Sequence, residues 1–263
     1  MALQRLPRVL SIAGSDSGGG AGIQADLKAF ARSGVHGMTA ITAITAQNTV
    51  GVTAVHPVPP DVIVAQVRAV VDDIGVDAVK IGMLGSVATM EAVGEALDLI
   101  GDVPVVLDPV MISESGARLL DEDAQEALRT QLVPRAMVVT PNVPEAHVLS
   151  GDDELEAEQL VRAVHALGPR IVVLTGGHRE EATDIFFDGE RLVEIPGERY
   201  DDGAAHGSGC THSSALAAHL ALGLDPLDAA REAKRIASEA VRDGLRSIGE
   251  GAGPVDVFGL GSA

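Results

Sequence analysis

Short apolar runs alternate along this chain with longer stretches whose apolar residues recur at helical spacing. Val9–Ala13, closed by Gly14, predicts a buried strand. From Ile23 to Ser33 the period becomes helical, with Ile23, Leu27 and Phe30 on one face and Gly34 suited to the C-terminal stop. Met38–Ala46 is apolar and β-branched, a strand running into the polar cluster Gln47-Asn48-Thr49. Asp61–Ile74 predicts a helix, with Pro59 and Pro60 before it and Gly75 after it. Ala78–Met83 predicts a strand, and Ser86 caps a helix that reaches about Ile100. Pro104–Leu107 is a strand that stops at Asp108-Pro109. Asp121–Leu132 is helical, Met137–Thr140 is a strand, and Asn142 with Pro144 fits the first turn of another helix. The acidic stretch Gly151–Glu158 leads into a helix ending near Gly168. Ile171–Leu174 is a strand followed by Thr175-Gly176-Gly177-His178. Ile185–Val193 predicts a hairpin about Asp188-Gly189. Two helices close the pattern, one carrying the apolar run Ala215–Leu224 and one over Pro226–Gly244.

This alternation predicts an α/β fold, a single three-layer αβα sandwich around a mostly parallel central sheet. No internal repeat, low-complexity segment or linker breaks it, so residues 1–263 are expected to form one domain.

Composition narrows the classes. No run of about 18 apolar residues exists, which argues against a membrane span. The one cysteine cannot form an intrachain disulfide, and with no export signal a cytoplasmic setting is expected. Nineteen basic residues against 38 acidic give a net charge of −19, which repels nucleic-acid backbones and anionic membranes. The five aromatics (Phe30, Phe186, Phe187, Tyr200, Phe258) form no stacking platform for bases. Any phosphorylated ligand must therefore find its positive potential locally.

The candidate chemistry gathers at predicted strand ends and glycine turns. His206-Gly207-Ser208-Gly209-Cys210-Thr211 leads into a helix. Free N–H groups at such a start cradle anions, and a thiol there is expected to lean toward thiolate. The same segment also reads as a glycine turn before a small buried cysteine. Ser15–Gly22 is a glycine loop between strand and helix. It is not a Walker A loop, since no Gly-Lys-Ser/Thr follows. Gly20-x-Gly22-x-x-Ala25 weakly matches a dinucleotide fingerprint, but Ile41–Gly51 lacks the ribose-binding acid. The remaining reading is a loop closing over a small polar substrate, with Asp26 either facing it or solvated in the first helical turn. Gln47 offers donors and an acceptor to a flat heterocycle, or simply belongs to a turn. Asp108 suits a Mg²⁺ or phosphate site or a turn before proline, and Glu145 suits a water-mediated Mg²⁺ contact or a helix-dipole partner.

Six segments occur in an order and spacing that resemble the hydroxymethylpyrimidine/phosphomethylpyrimidine kinases of thiamine biosynthesis, within the ribokinase-like superfamily. They are Ala21–Asp26, Ala46–Thr49, Lys80–Leu84, Leu107–Met111, Thr140–Glu145 and His206–Thr211, and the resemblance spans about Arg8 to Phe258. It implies a ribokinase-like fold and ATP-dependent phosphorylation of 4-amino-5-hydroxymethyl-2-methylpyrimidine, then of its monophosphate. It further implies that Gln47 and Met83, with Gly14, contact the pyrimidine and that Asp26 lies near its amino or hydroxymethyl edge. Gly207, Ser208, Gly209 and Cys210 would form the anion hole, with Cys210 where related sugar kinases keep an aspartate base. Asp108 and Glu145 would serve Mg²⁺, and Asn142, Thr175 and Gly177 the ATP. A homodimer would fit the family. Two departures stand out: Ser208 replaces a common threonine, and Thr175 replaces a common lysine. The only lysines are Lys28, Lys80 and Lys234, so an arginine such as Arg179, or Mg²⁺ with N–H dipoles, must meet the phosphates.

Two rivals remain at this point. A pyridoxal or pyridoxine kinase shares the superfamily and a hydroxymethyl heteroaromatic substrate. A non-catalytic pyrimidine-binding protein would keep the fold without turnover.

Overall fold

The computed structural model describes residues 5–111, 120–177, 182–200 and 204–262. Nine strands form one sheet in the order β3-β2-β1-β4-β5-β6-β7-β8-β9. The strands are β1 (Arg8–Asp16), β2 (His36–Gln47), β3 (Val52–Pro57), β4 (Ala78–Ile81), β5 (Val105–Leu107), β6 (Val138–Val139), β7 (Ile171–Leu174), β8 (Asp184–Phe187) and β9 (Leu192–Ile195). From β2 through β7 every neighbour is parallel, while β3 pairs antiparallel with β2 at one edge and β8 pairs antiparallel with both β7 and β9 at the other. The expected αβα sandwich with a mostly parallel sheet is what forms.

Strand alternation builds the two layers of core. Val9, Ala78, Val106, Val138 and Val173 point to one face and pack with helices α7 (Ser208–Ala221) and α8 (Pro226–Arg242). Phe30, from α1 (Gly22–Arg32), joins them on that face. Leu10, Val79, Val105, Val139 and Val172 point to the other face. There they meet α3 (Val87–Ile100), α4 (Glu122–Ala127), α5 (Val143–Ser150) and α6 (Ala157–His165), with α2 (Pro60–Asp73) beside α3. Such runs, buried on both sides, are what covered parallel strands require.

Ser86 caps α3 through the Thr89 N–H, and Asn142 with Glu145 forms a full capping box at the start of α5. Three local expectations differ. The segment expected as one helix over 121–132 ends as α4 at Ala127, continues as a π-turn over Leu128–Leu132 and tightens into a 3₁₀ turn at Val133–Arg135. Pro134, which cannot continue the helical hydrogen bonding, lies in that last turn. Leu27 is 38% exposed although it shares the period of Ile23 and Phe30. Strand β3 had no sequence signal, because its residues beyond Val52 are exposed and carry no alternation.

Candidate active site

The parallel strands deliver their last residues to one side of the sheet. Asp16 ends β1, Gln47 ends β2, Met83 follows β4, Asp108 follows β5, Thr140 follows β6 and Thr175 follows β7. All six line a single cavity of about 490 Å³, closed by the start of α7 and by α8. Ligands of open α/β sheets bind at this carboxyl edge. Among the sequence candidates, Gly14, Gln47, Met83, Asp108, Asn142, Glu145, Thr175, Gly177, Gly207, Ser208, Gly209 and Cys210 all line it.

One end is a compact, partly apolar wall. The Gly14 N–H donates to the Met83 carbonyl (3.1 Å), and Thr42 Oγ1 donates to the same oxygen (2.9 Å). The Gln47 main chain is held by Ser17, whose Oγ accepts from the Gln47 N–H (2.8 Å) and donates to its carbonyl (2.6 Å). At the centre, Gly207 takes the left-handed conformation (φ 85°) that starts α7, and Cys210 sits in the first turn. A Cβ on Gly207 would run into the Gly20 carbonyl oxygen, so this residue must be glycine for the two loops to touch.

Beneath the thiol lies a charged cluster. Lys80 Nζ donates to Asp26 Oδ1 (2.8 Å) and lies 3.9 Å from Asp108 Oδ2. Ser214 Oγ donates to Asp26 Oδ1 (2.7 Å), Ser11 Oγ to Asp26 Oδ2 (2.6 Å), and Ser213 Oγ to Asp108 Oδ2 (3.0 Å). Two adjacent serines of α7 thus hold two carboxylates from different elements, with one ammonium between them.

The far end holds a second cluster. Lys234 Nζ (α8) donates to Asp184 Oδ1 (2.6 Å), which also accepts the Gly176 N–H (2.8 Å). His212 Nε2 lies 3.2 Å from Asp184 Oδ2, and neither ring nitrogen meets a well-aligned hydrogen-bond partner among the described residues.

The sequence model of the family described as phosphomethylpyrimidine kinase matches residues 16–256. The chain belongs to that family. It is 48% identical over 256 residues to the hydroxymethylpyrimidine/phosphomethylpyrimidine kinase of Rhizobium meliloti, across 95% of this chain and 96% of the relative. The fold is similar to the phosphomethylpyrimidine kinase of Clostridium difficile, with TM-score 0.79, 42% identity, and coverage of 89% of this chain and 99% of that one. It is also similar to the ADP complex of Bacillus subtilis pyridoxal kinase, with TM-score 0.89, 39% identity, and coverage of 97% and 99%.

The phosphomethylpyrimidine kinase site differs from the sequence expectations in three respects. Asp26 is not on the cavity wall. It is fully buried under it, its oxygens taken by Ser11, Lys80 and Ser214, so it braces the floor and has no edge to offer a pyrimidine.

The Cys210 thiol does not lean toward thiolate. Burial pushes it up to about 12; Lys80 pulls the other way, Asp108 and Asp26 push further, and the Gly22 N–H pulls back. Desolvation outweighs the helix terminus here.

Two cationic side chains from distant parts of the chain stand at the Thr175 end of the cavity or on its wall. Lys234 and Arg199 both line the cavity, and Lys234 stands next to the Thr175–Gly177 turn through Asp184. His178 and Arg179 lie outside the described residues.

The carboxylates carry the marks of a cation site. Burial raises Asp108, with Asp26 adding to it, although Lys80 and Ser213 oppose. Burial and the neighbouring Asp108 push Glu145 up to about 8, against the N–H groups of Asn142 and Met111. Two buried carboxylates that resist simultaneous ionisation fit a divalent cation that takes one or two protein oxygens and completes its shell with phosphates and water. Among the described residues, no group of three or more His, Cys, Asp or Glu forms a self-contained metal cage. Burial alone would raise Asp184, but His212 and Lys234 outweigh it and hold that carboxyl below the ordinary range.

Lys80, Lys234, Asp184 and His212 were not among the sequence candidates. A signal existed for the lysines. Lys80 interrupts the buried strand Ala78-Val79-Lys80-Ile81, and Lys234 sits in the small-residue face of Ala230, Ala233 and Ala237. A charge in an apolar stripe needs a partner.

Proposed function

We infer that this protein transfers the γ-phosphoryl group of ATP to 4-amino-5-hydroxymethyl-2-methylpyrimidine, and then phosphorylates that monophosphate to the diphosphate, in thiamine biosynthesis. The observation that carries the site assignment is one cavity whose apolar wall and anion-cradling helix start meet at Cys210.

The roles follow from position. Gly14, Gln47 and Met83 hold the flat ring, with Gln47 offering amide donors and an acceptor to its edge. The N–H groups over Ser208–Cys210 receive the transferred phosphoryl, where fixed dipoles act without reorganising. Asn142, Thr175 and Gly177 border the nucleotide, and Lys234 supplies the cation its phosphates need. Mg²⁺, held by Asp108 and Glu145 together with the phosphates, would neutralise charge on the transferring group. In the first round Cys210, as the thiolate left once its own proton has gone to solvent, takes the hydroxyl proton as the phosphoryl group arrives. In the second round the nucleophile is already an oxyanion. Residues 1–263 work as one domain. We also assign a homodimer and a cytoplasmic setting; no described helix is long and apolar enough to cross a membrane.

A pyridoxal kinase side activity is the second reading, favoured by the close fold match to a pyridoxal kinase. The deciding experiment is ADP release with Mg-ATP and hydroxymethylpyrimidine, with mass spectrometry of the products. Mono- and then diphosphate is the expected result. Monophosphate alone confines the enzyme to the first step, and binding without ADP release overturns the kinase reading. Pyridoxal competing at equal concentration measures the side activity.

A further inference from the structure

The glycine loop after β1 and the phosphate cradle before α7 are far apart in sequence, and the Asp16–His206 side-chain pair is one of the contacts that join them. Asp16 Oδ1 accepts the Gly18 N–H (2.8 Å). Its Oδ2 accepts the N–H groups of Gly20 (3.0 Å) and Ala21 (2.8 Å), and Nε2 of His206 (3.0 Å). Four donors converge on one carboxylate that is 2% exposed, so water does not replace any of them. Burial would raise Asp16, but the His206 ring and the N–H groups of Ala21 and Gly18 outweigh it and hold the carboxyl below its ordinary range. Since a carboxylate only accepts, the imidazole nitrogen facing it is the donor.

His206 is fixed from its other side. Its N–H donates to the Gly253 carbonyl (3.3 Å), and its own carbonyl accepts the Val255 N–H (3.1 Å). A Cβ on Gly20 would strike the imidazole ring. The tip of β1 has separate support, since Gln24 accepts the Asp16 N–H (2.9 Å) and donates to Ser15 Oγ (2.9 Å). The start of α7 closes by itself through Ser208 N–H to Ala205 and Thr211 N–H to Gly207. The Asp16–His206 bond is therefore not what builds either wall. It ties one wall to the other at their rim, beside the Gly20–Gly207 backbone contact and the Gly22 N–H that faces the Cys210 thiol, while Ser214 and Asp26 join α7 to α1 deeper down.

We propose that Asp16 and His206 are a positioning pair, which fixes the register between the pyrimidine wall and the phosphate cradle over Ser208–Cys210. Both residues line the cavity, but the polar atoms of Asp16 and Nε2 of His206 are taken up by each other and by the loop N–H groups. Phosphoryl transfer depends on in-line placement, and a shift of about 1 Å costs about 100-fold in rate. The inference rests on the kinase reading above.

The test compares His206→Asn with His206→Gln in the full chain. Both are polar and uncharged, but only the glutamine amide reaches the place of Nε2. Asn is expected to lower kcat about 10- to 100-fold, with KM for pyrimidine and ATP within about twofold. Gln is expected to return most of the rate. Asp16→Asn, which offers one acceptor oxygen to four donors, is expected to follow His206→Asn. Equal rates for Asn and Gln, or a loss carried by KM alone, overturn the pair's role even if both variants melt early. A wild type that makes no pyrimidine phosphate sinks the kinase reading itself. A wild type that turns over beside an unimpaired His206→Asn sinks the positioning pair alone.

Discussion

Lys80 Nζ and Asp26 Oδ1 are 2.8 Å apart, and neither side chain has any solvent exposure. Breaking such a pair leaves one charge buried and uncompensated, which costs about 3–5 kcal/mol. Lys80→Met and Asp26→Asn should each lose stability on that scale in urea unfolding. The double variant should lose clearly less than the sum, since it leaves neither member of the pair charged without the other and adds only the weaker loss of Lys80 beside Asp108. Additive losses would mean that the two groups do not depend on each other.

Glu145 links stability to pH. Its folded pKa of about 8 lies above the ordinary 4.5, with burial first and Asp108 second as the cause. A carboxyl raised on folding contributes stability that is full below its ordinary pKa and is lost as pH rises toward 8. Glu145→Gln keeps an acceptor for the helix cap but cannot ionise. Without divalent cation it should melt above wild type at pH 8.5, and the gap should close by pH 5. Each kcal/mol is worth about 2–4 °C in a chain of this size, so thermal melts resolve it. Mg²⁺ with ADP should raise the wild type more than the variant. A gap that does not change with pH would remove Glu145 from the cation site.

The fold was readable because parallel strands covered on both sides produce uninterrupted apolar runs, and because Ser86, Asn142 and Gly34 punctuate them. Strand β3 was not readable, since an exposed edge strand has no buried face to pattern. Short motifs at predicted strand ends and glycine turns, the Gly207–Cys210 turn, Gln47 and Asp108, do converge on the cavity, because the carboxyl ends of parallel strands share one edge. The site was not readable where distant residues meet. Asp26 stands two residues after Gln24, which braces the rim of the glycine loop, yet only the tertiary packing of Lys80 and Ser214 shows that its carboxyl faces inward. The Cys210 thiol was misjudged for the same reason, because helix polarity is local and desolvation is not.

Lys234 tests the source of the missing positive charge. It lines the cavity near Thr175 and Gly177 with its ammonium on Asp184. Lys234→Met should raise KM for ATP by about 10-fold or more, equal to about 1.4 kcal/mol of binding, and leave KM for the pyrimidine nearly unchanged. Steady-state kinetics in each substrate separates the two. A rise in pyrimidine KM alone would assign Lys234 to the other end of the cavity.

Cys210 distinguishes the two rounds of phosphorylation. With its thiol at about 12, little thiolate exists beforehand. Iodoacetamide should therefore alkylate the resting enzyme slowly between pH 7 and pH 9. As a base, Cys210 must first lose its thiol proton to solvent, and the thiolate so formed takes the hydroxyl proton while the phosphoryl group is in transit. The first round needs this, because the nucleophile is an alcohol. The second does not, because a phosphate oxygen carries its charge already. Cys210→Ala should lower the first turnover by about 10²- to 10⁴-fold, the usual weight of a general base, and the second by less than about 10-fold. Starting separate reactions from the pyrimidine and from its monophosphate, with mass spectrometry of each product, reads both numbers. Equal losses would make Cys210 part of the anion cradle rather than the base.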